Sequence, residues 1–156
     1  MAVKCIAIGN RIMGDDGIGI IIVENLYDRL RRKKIEIIYG ESDIEYVLDF
    51  IEDGDFIFIL DAAYYGKSPG TVTFVSINDR PIFYQEIFSQ HQPNLLSYLR
   101  NLGKYYNKEV EGYFIGIEIE KIDFGFDISN NLNKQLIHIC EKIYQFICEK
   151  VEHLNR

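Results

Sequence analysis

Two acidic positions and one imidazole stand where they could do chemistry. Asp15 and Asp16 lie side by side in the stretch Gly9-Asn10-Arg11-Ile12-Met13-Gly14-Asp15-Asp16-Gly17. The Gly9-to-Gly14 spacing suits a phosphate-cradling loop, but carboxylates occupy the places where such a loop needs Lys and Ser or Thr. Two carboxylates would repel a phosphate. An Asp here can cap the following helix by accepting from its free N–H groups. One acid suffices for that, which leaves the other available for chemistry. Asp61 ends the apolar run Phe56-Ile57-Phe58-Ile59-Leu60. A carboxylate emerging from such a strand must be solvated, hydrogen-bonded or metal-bound, and a side-chain turn at the strand end is its plain structural role. His91, in Ser89-Gln90-His91-Gln92-Pro93, falls outside any apolar stripe. A lone loop histidine is ordinarily a surface residue. Together, Asp16, Asp61 and His91 would make an oxygen- and nitrogen-donor set suited to a borderline divalent ion such as nickel or zinc. His138 and His153 fall on the last helix and receive no chemical role.

These side chains come from distant segments, so a fold must unite them. Val3 to Ile8 is a short apolar strand closed by Gly9-Asn10. Gly17 to Arg32 reads as a helix, with Ile18, Ile22, Leu26 and Leu30 at i, i+4 spacing. Ile35 to Tyr39 is a second strand, and Asp43 to Glu52 a short helix broken by Gly54. Phe56 to Leu60 is uninterrupted, as expected of a strand buried on both faces. Thr71 to Ile77, after the Pro69-Gly70 turn, is a further strand. Its connection to the strand before it is too short for a parallel crossover, so the spacing predicts an antiparallel pair. Pro93 opens a helix from its first position, with Leu95, Leu96, Leu99 and Leu102 facing inward. Tyr113 to Ile119 is the last strand. Ser129 is expected to cap a long helix carrying Leu132, Leu136, Cys140, Ile143, Ile147 and Val151 on one stripe.

The order β-α-β-α-β-β-α-β-α calls for a mostly parallel sheet covered by helices on both faces. Ligands in such folds sit beyond the carboxyl ends of the strands, where strand order reverses. The first and third strands are usually neighbours there, ~4.8 Å apart. Asp16 and Asp61 would then approach each other across the crevice. Two close carboxylates raise one pKa unless a cation compensates.

With 156 residues the chain is the size of one domain, and it can bury a proper core. A formal charge of −7 argues against binding to a nucleic-acid backbone. The one basic run, Arg31-Arg32-Lys33-Lys34, sits at the end of the first helix, where cations suit the helix dipole. Cys5, Cys140 and Cys148 follow no metal-ligand spacing. Cys140 and Cys148 are separated by ~12 Å of helical rise and cannot pair. No charged and apolar leader precedes Val3, and no apolar run approaches the ~18 residues needed to span a membrane. A cytoplasmic protein with reduced thiols and no membrane partner is expected.

Set in this order, the motifs resemble those of the hydrogenase maturation endopeptidases along nearly the whole chain, residues 1–156 as a single domain. Ile6-Ala7-Ile8-Gly9-Asn10 followed by Met13-Gly14-Asp15-Asp16-Gly17-Ile18-Gly19 is similar to the family's opening signature, the most specific piece. Phe58-Ile59-Leu60-Asp61-Ala62 with Pro69-Gly70-Thr71 resembles its central strand and turn. His91-Gln92-Pro93-Asn94-Leu95 resembles the histidine-bearing segment, and Phe114-Ile115-Gly116-Ile117-Glu118 the last strand. The resemblance implies a three-layer α/β/α sandwich, phosphorylase/hydrolase-like, with a five-stranded mostly parallel sheet and one antiparallel strand. It implies cleavage of a short C-terminal extension from the large-subunit precursor of a nickel-containing hydrogenase after nickel insertion. Nickel would be carried by the substrate and used for recognition, with no organic cofactor. Asp16, Asp61 and His91 correspond to the family's metal-contacting acid, acid and histidine, and would be catalytic. The family's acidic residue, two glycines and Ser or Thr after the second strand become Tyr39-Gly40-Glu41-Ser42 here. Gly40, Glu41 and Ser42 are therefore the expected substrate-binding positions. The altered pattern bears on specificity and would bring an acidic group toward the cleft.

Two other readings share these features. A non-catalytic hydrogenase-assembly binding module would have the same fold, with the altered Gly40-Glu41-Ser42 stretch as its support. A receiver-like phospho-acceptor domain also places an acidic pair after the first strand and an Asp at the end of the third. It would need a Lys near the end of the last strand, where this chain has Gly116-Ile117-Glu118.

Overall fold

The structure, a computed structural model, describes residues 1–78 and 107–156. The expected Pro93 helix and His91 lie outside the described residues. The chain opens with strand β1 (Val3–Ile8), a 3-10 turn (Gly14–Gly17) and helix α1 (Ile18–Arg32). Strand β2 (Glu36–Glu41), helix α2 (Ile44–Asp49), strand β3 (Phe56–Ala63) and strand β4 (Val72–Ser76) follow. Strand β5 (Glu111–Glu118) and helix α3 (Asn130–Leu154) complete the described elements.

The five strands lie in the order β2-β1-β3-β5-β4. β1 pairs in parallel with both β2 and β3, and β3 in parallel with β5. β4 runs antiparallel to β5. The short β3–β4 connection thus reverses the chain as expected, but the two strands are not hydrogen-bonded partners. β5 lies between them.

Alternation along the strands sends side chains to two cores. Cys5, Ala7, Phe58, Leu60, Ile115 and Ile117 pack beneath α1 and α3 on one face. Ile6, Ile8, Ile57, Ile59 and Phe114 meet Val47 of α2 and Ile51 on the other. Every residue of β3 is buried, as its unbroken apolar sequence requires. In α1, Ile18, Ile22, Leu26 and Leu30 form the expected buried stripe. α1 and α3 are joined laterally by Arg29, which pairs with Glu141 and stacks over the Tyr144 ring at 3.8 Å.

Two expectations about helix capping fail. Neither Asp15 nor Asp16 caps α1, whose N-cap is Gly17. Ser129 occupies the N-cap position of α3, but its hydroxyl makes no capping bond. Its backbone N–H instead donates to Asp15 Oδ1 at 2.6 Å. Asp43 does cap α2, accepting from Tyr46 N. The three cysteines are free, as expected.

Candidate active site

The loop after β1 is built around one acid. Gly9, at φ +143°, permits a backbone approach that no side chain could share, since a Cβ there would collide with the Asp16 carbonyl. The chain then doubles back, and Asn10 N donates to Asp16 Oδ2 at 2.9 Å. Gly19 lets the first turn of α1 rest on the sheet, because a Cβ would stand 2.7 Å from Leu60 O and 3.1 Å from Ile8 O. Asp16 is held by these contacts at the carboxyl ends of β1 and β3, only 1% exposed.

Asp61 sits in β3 one step beyond the Ala7–Leu60 register pair, level with the end of β1 and directly paired with Gly116 of β5. It is fully buried, and Ala62 N donates to its Oδ1 at 2.8 Å. Glu118 ends β5 at 4% exposure, and its carboxylate takes the Tyr65 N–H on both oxygens at 2.9 and 3.1 Å. The turn after β1 and the ends of β3 and β5 therefore each place a buried acid at the carboxyl end of the parallel strands.

Tyr64, next after β3, lies in the field of these acids. Its phenol is held above its ordinary range, first by burial and then by the negative charge of Asp16, Asp61, Asp15 and Glu118. Among the described residues Tyr64 Oη is enclosed and has no hydrogen-bond partner. Asp16 and Asp61 thus bring two buried carboxylates to the carboxyl ends of β1 and β3. Among the described residues no three His, Cys, Asp or Glu side chains form a metal-holding group; His91, the expected third ligand, lies outside them.

Asp15, adjacent to Asp16, has a different duty. Its carboxylate accepts from Glu120 N, Lys121 N and Ser129 N at 3.2, 3.2 and 2.6 Å. It ties the segment between β5 and α3 to the first loop. The acidic pair thus divides into one structural anchor and one acid facing the strand ends. Sequence reasoning did not assign Glu118, although an acid closing a buried apolar strand is the same signal that singled out Asp61.

The second-strand segment is placed as follows. Gly40 is buried within β2, where a Cβ would collide with Val47 and approach Ile8 Cδ1 at 3.0 Å. Glu41 adopts a left-handed φ of +52°, a conformation that favours glycine. Its carboxylate is exposed and accepts from Arg11 Nε at 2.9 Å, while its carbonyl accepts from Gly9 N at 2.8 Å. Ser42 is exposed beside it.

A mostly parallel sheet with helices on both faces, an antiparallel strand at its edge and buried carboxylates at the parallel strand ends defines an α/β/α fold. The sequence model of the hydrogenase maturation protease family (HycI) matches residues 20–146. The chain belongs to that family, and it is a peptidase. It is 26% identical over 146 residues to a Methanocaldococcus jannaschii protein assigned as a hydrogenase maturation protease, covering 92% of each chain. It is 27% identical over 150 residues to the hydrogenase expression/formation protein HoxM of Azotobacter vinelandii, covering 93% of this chain and 72% of that one. The [NiFe] hydrogenase maturation protease HybD from Thermococcus kodakarensis superposes with a TM-score of 0.75 at 26% identity, over 94% of this chain and 99% of its own. The fold is also that of the E. coli hydrogenase maturating endopeptidase HybD, with a TM-score of 0.77 at 20% identity over 96% and 94% of the two chains. Among the described residues, no helix is long and apolar enough to cross a membrane.

Proposed function

We propose that this peptidase removes the C-terminal extension of a nickel-containing hydrogenase large-subunit precursor, after nickel insertion, using Asp16, Asp61 and His91. The observation that carries this reading is the burial of both Asp16 and Asp61 at the carboxyl ends of the adjacent strands β1 and β3, in a member of this family. The two carboxylates and the His91 imidazole form an oxygen- and nitrogen-donor set that suits nickel held by the precursor. The metal then serves to position the tail against the crevice. One carboxylate takes a proton from the attacking water as its oxygen bonds to the peptide carbonyl carbon. The C–N bond breaks, and the leaving amine carries the proton away. The expected site of action is the cytoplasm, which fits three free thiols.

The test is incubation with a nickel-loaded large-subunit precursor, followed by mass spectrometry of the products. Release of an intact tail peptide is expected with the unaltered protein, and none with Asp16→Ala or His91→Ala. Wild-type cleavage rates in both variants would remove these residues from the mechanism. Tight binding without tail release would favour the non-catalytic module instead. The receiver-like reading finds no support in the fold, whose last parallel strand closes with the buried Glu118 where a Lys would be required.

A further inference from the structure

The residue opposite Asp61 in the sheet is a glycine, and an aromatic ring fills the space it leaves. Asp61 and Gly116 are register partners on the parallel strands β3 and β5, and adjacent strands lie ~4.8 Å apart. A Cβ at Gly116 would stand 3.0 Å from Tyr65 Oη, 3.3 Å from Tyr65 Cε2 and 3.1 Å from Ala63 Cβ. The Tyr65 phenol therefore lies against Gly116, one strand spacing from the Asp61 backbone. Strand alternation agrees with this placement. Asp61 shares a sheet face with Ile57 and Ile59, and Gly116 shares it with Phe114. The half-buried Tyr65 packs against the core that Ile57, Ile59 and Phe114 build.

The Tyr65 backbone is fixed as well as its ring. Its N–H donates to both oxygens of the Glu118 carboxylate at 2.9 and 3.1 Å, and Glu118 is 4% exposed. Glu118 stands two residues beyond Gly116 and so on the same face of β5. One residue of β5 thus holds the main chain of Tyr65, and another makes room for its ring.

We propose that Tyr65 is a further catalytic residue, donating its phenol O–H to the carbonyl oxygen of the peptide bond being cut. This rests on the peptidase function proposed above. When the attacking water bonds to the carbonyl carbon, an electron pair of the C=O bond moves onto the oxygen. A fixed donor aimed at that oxygen stabilises the charge as it forms. The phenol keeps its proton throughout, and the pair returns to the carbonyl as the C–N bond breaks. Ionised carboxylates only accept hydrogen bonds, so a phenol beside Asp61 adds the donor that the acids lack.

The experiment measures tail release from nickel-loaded precursor by the unaltered protein, Tyr65→Phe, Gly116→Ala, the Tyr65→Phe/Gly116→Ala double variant and a Tyr113→Phe control. Tyr113 is also on β5, but it stacks on Phe58 in the core of the opposite face. Rates are read at a temperature where thermal melting shows every variant folded. Tyr65→Phe keeps the ring and should keep the thermal midpoint. Its kcat should fall about 100-fold or more, with KM within about twofold. Gly116→Ala pushes the phenol aside and should lower kcat by roughly tenfold. In the double variant the second substitution should add almost nothing, because the group it displaces is already gone. Tyr113→Phe should cleave as the unaltered protein does. A Tyr65→Phe protein with unchanged kcat would overturn the role of Tyr65 and leave the peptidase function standing. So would a rise in KM alone, which would make the phenol a binding contact. Additive losses in the double variant would overturn it too, since Gly116→Ala would then act by another route. An unaltered protein that releases no tail would remove the peptidase function and the role of Tyr65 together.

Discussion

Asp15 Oδ1 accepts the backbone N–H of Ser129 at 2.6 Å, across 114 residues of sequence. With the bonds from Glu120 and Lys121, one buried carboxylate satisfies three main-chain donors that otherwise have no place in a ladder or helix. Asp15→Ala should therefore strand all three donors and cost about 3 kcal/mol or more, since each buried unsatisfied group costs about 1–3 kcal/mol. Asp15→Asn, which keeps one carbonyl oxygen, should lose less. Urea unfolding of the two variants checks the order, and equal stability in Asp15→Ala and the unaltered protein would show the clamp to be unimportant.

A second buried charge lies at the far end of the sheet. Lys4 Nζ meets Asp55 Oδ2 at 2.6 Å, with side chains 5% and 3% exposed. The same ammonium donates to Phe50 O at 2.5 Å, and Asp55 Oδ2 takes the Glu52 N–H at 2.8 Å. Lys4→Met leaves a buried carboxylate without its cation, a loss of about 3–5 kcal/mol. Lys4→Met/Asp55→Asn should recover part of that loss, because the uncompensated charge is gone. A double-mutant cycle by denaturant unfolding measures the difference. A double variant less stable than Lys4→Met alone would contradict this account.

How far the sequence foretold these features depends on the distance between partners. The buried apolar run before Asp61 announced a central strand because a strand covered on both faces has no polar side to show. The stripe Ile18, Ile22, Leu26 and Leu30 announced α1 in the same way. Strand partners were harder, because pairing β4 with β5 places Val72 opposite Ile117 across a stretch with no local signal. A turn between β3 and β4 reveals only a reversal, and the sheet inserts β5 between them. Asp16 and Asp61 stood out by residue type and position. The role of Asp15 was illegible because its partners begin 105 residues away. Ser129 misled for the same reason: a residue suited to capping gives its N–H to Asp15, and its hydroxyl is buried among other groups.

Gly19 offers a test of how the helix positions the acid. A Cβ at this place would lie 2.7 Å from Leu60 O, 3.0 Å from Leu60 C and 3.1 Å from Ile8 O, all of them backbone atoms of β3 and β1 that cannot swing aside. Gly19→Ala should force the first turn of α1 off the strand ends and cost about 1–3 kcal/mol as an overpacked substitution. Because Asp16 lies three residues earlier in the same rigid segment, precursor cleavage should fall more than stability does, at a temperature where the variant is still folded. Thermal melting and the cleavage rate are read together. A variant that is destabilised but cleaves normally would separate helix placement from acid placement.

Tyr64 makes the opposite prediction, a substitution that removes polarity at no cost. Its hydroxyl is buried with no hydrogen-bond partner among the described residues. Burial and the negative charges of Asp16, Asp61, Asp15 and Glu118 keep the proton on the phenol. An enclosed O–H that makes no bond has given up water without compensation, while the ring packs against the core shared by α1 and α3. Tyr64→Phe keeps the ring and deletes the uncompensated group, so its stability should match the unaltered protein or exceed it by about 1 kcal/mol. Denaturant unfolding decides, with both proteins followed to the same baseline. A loss of more than about 1 kcal/mol would mean that the hydroxyl is satisfied in solution, through an ordered water reaching one of the four carboxylates.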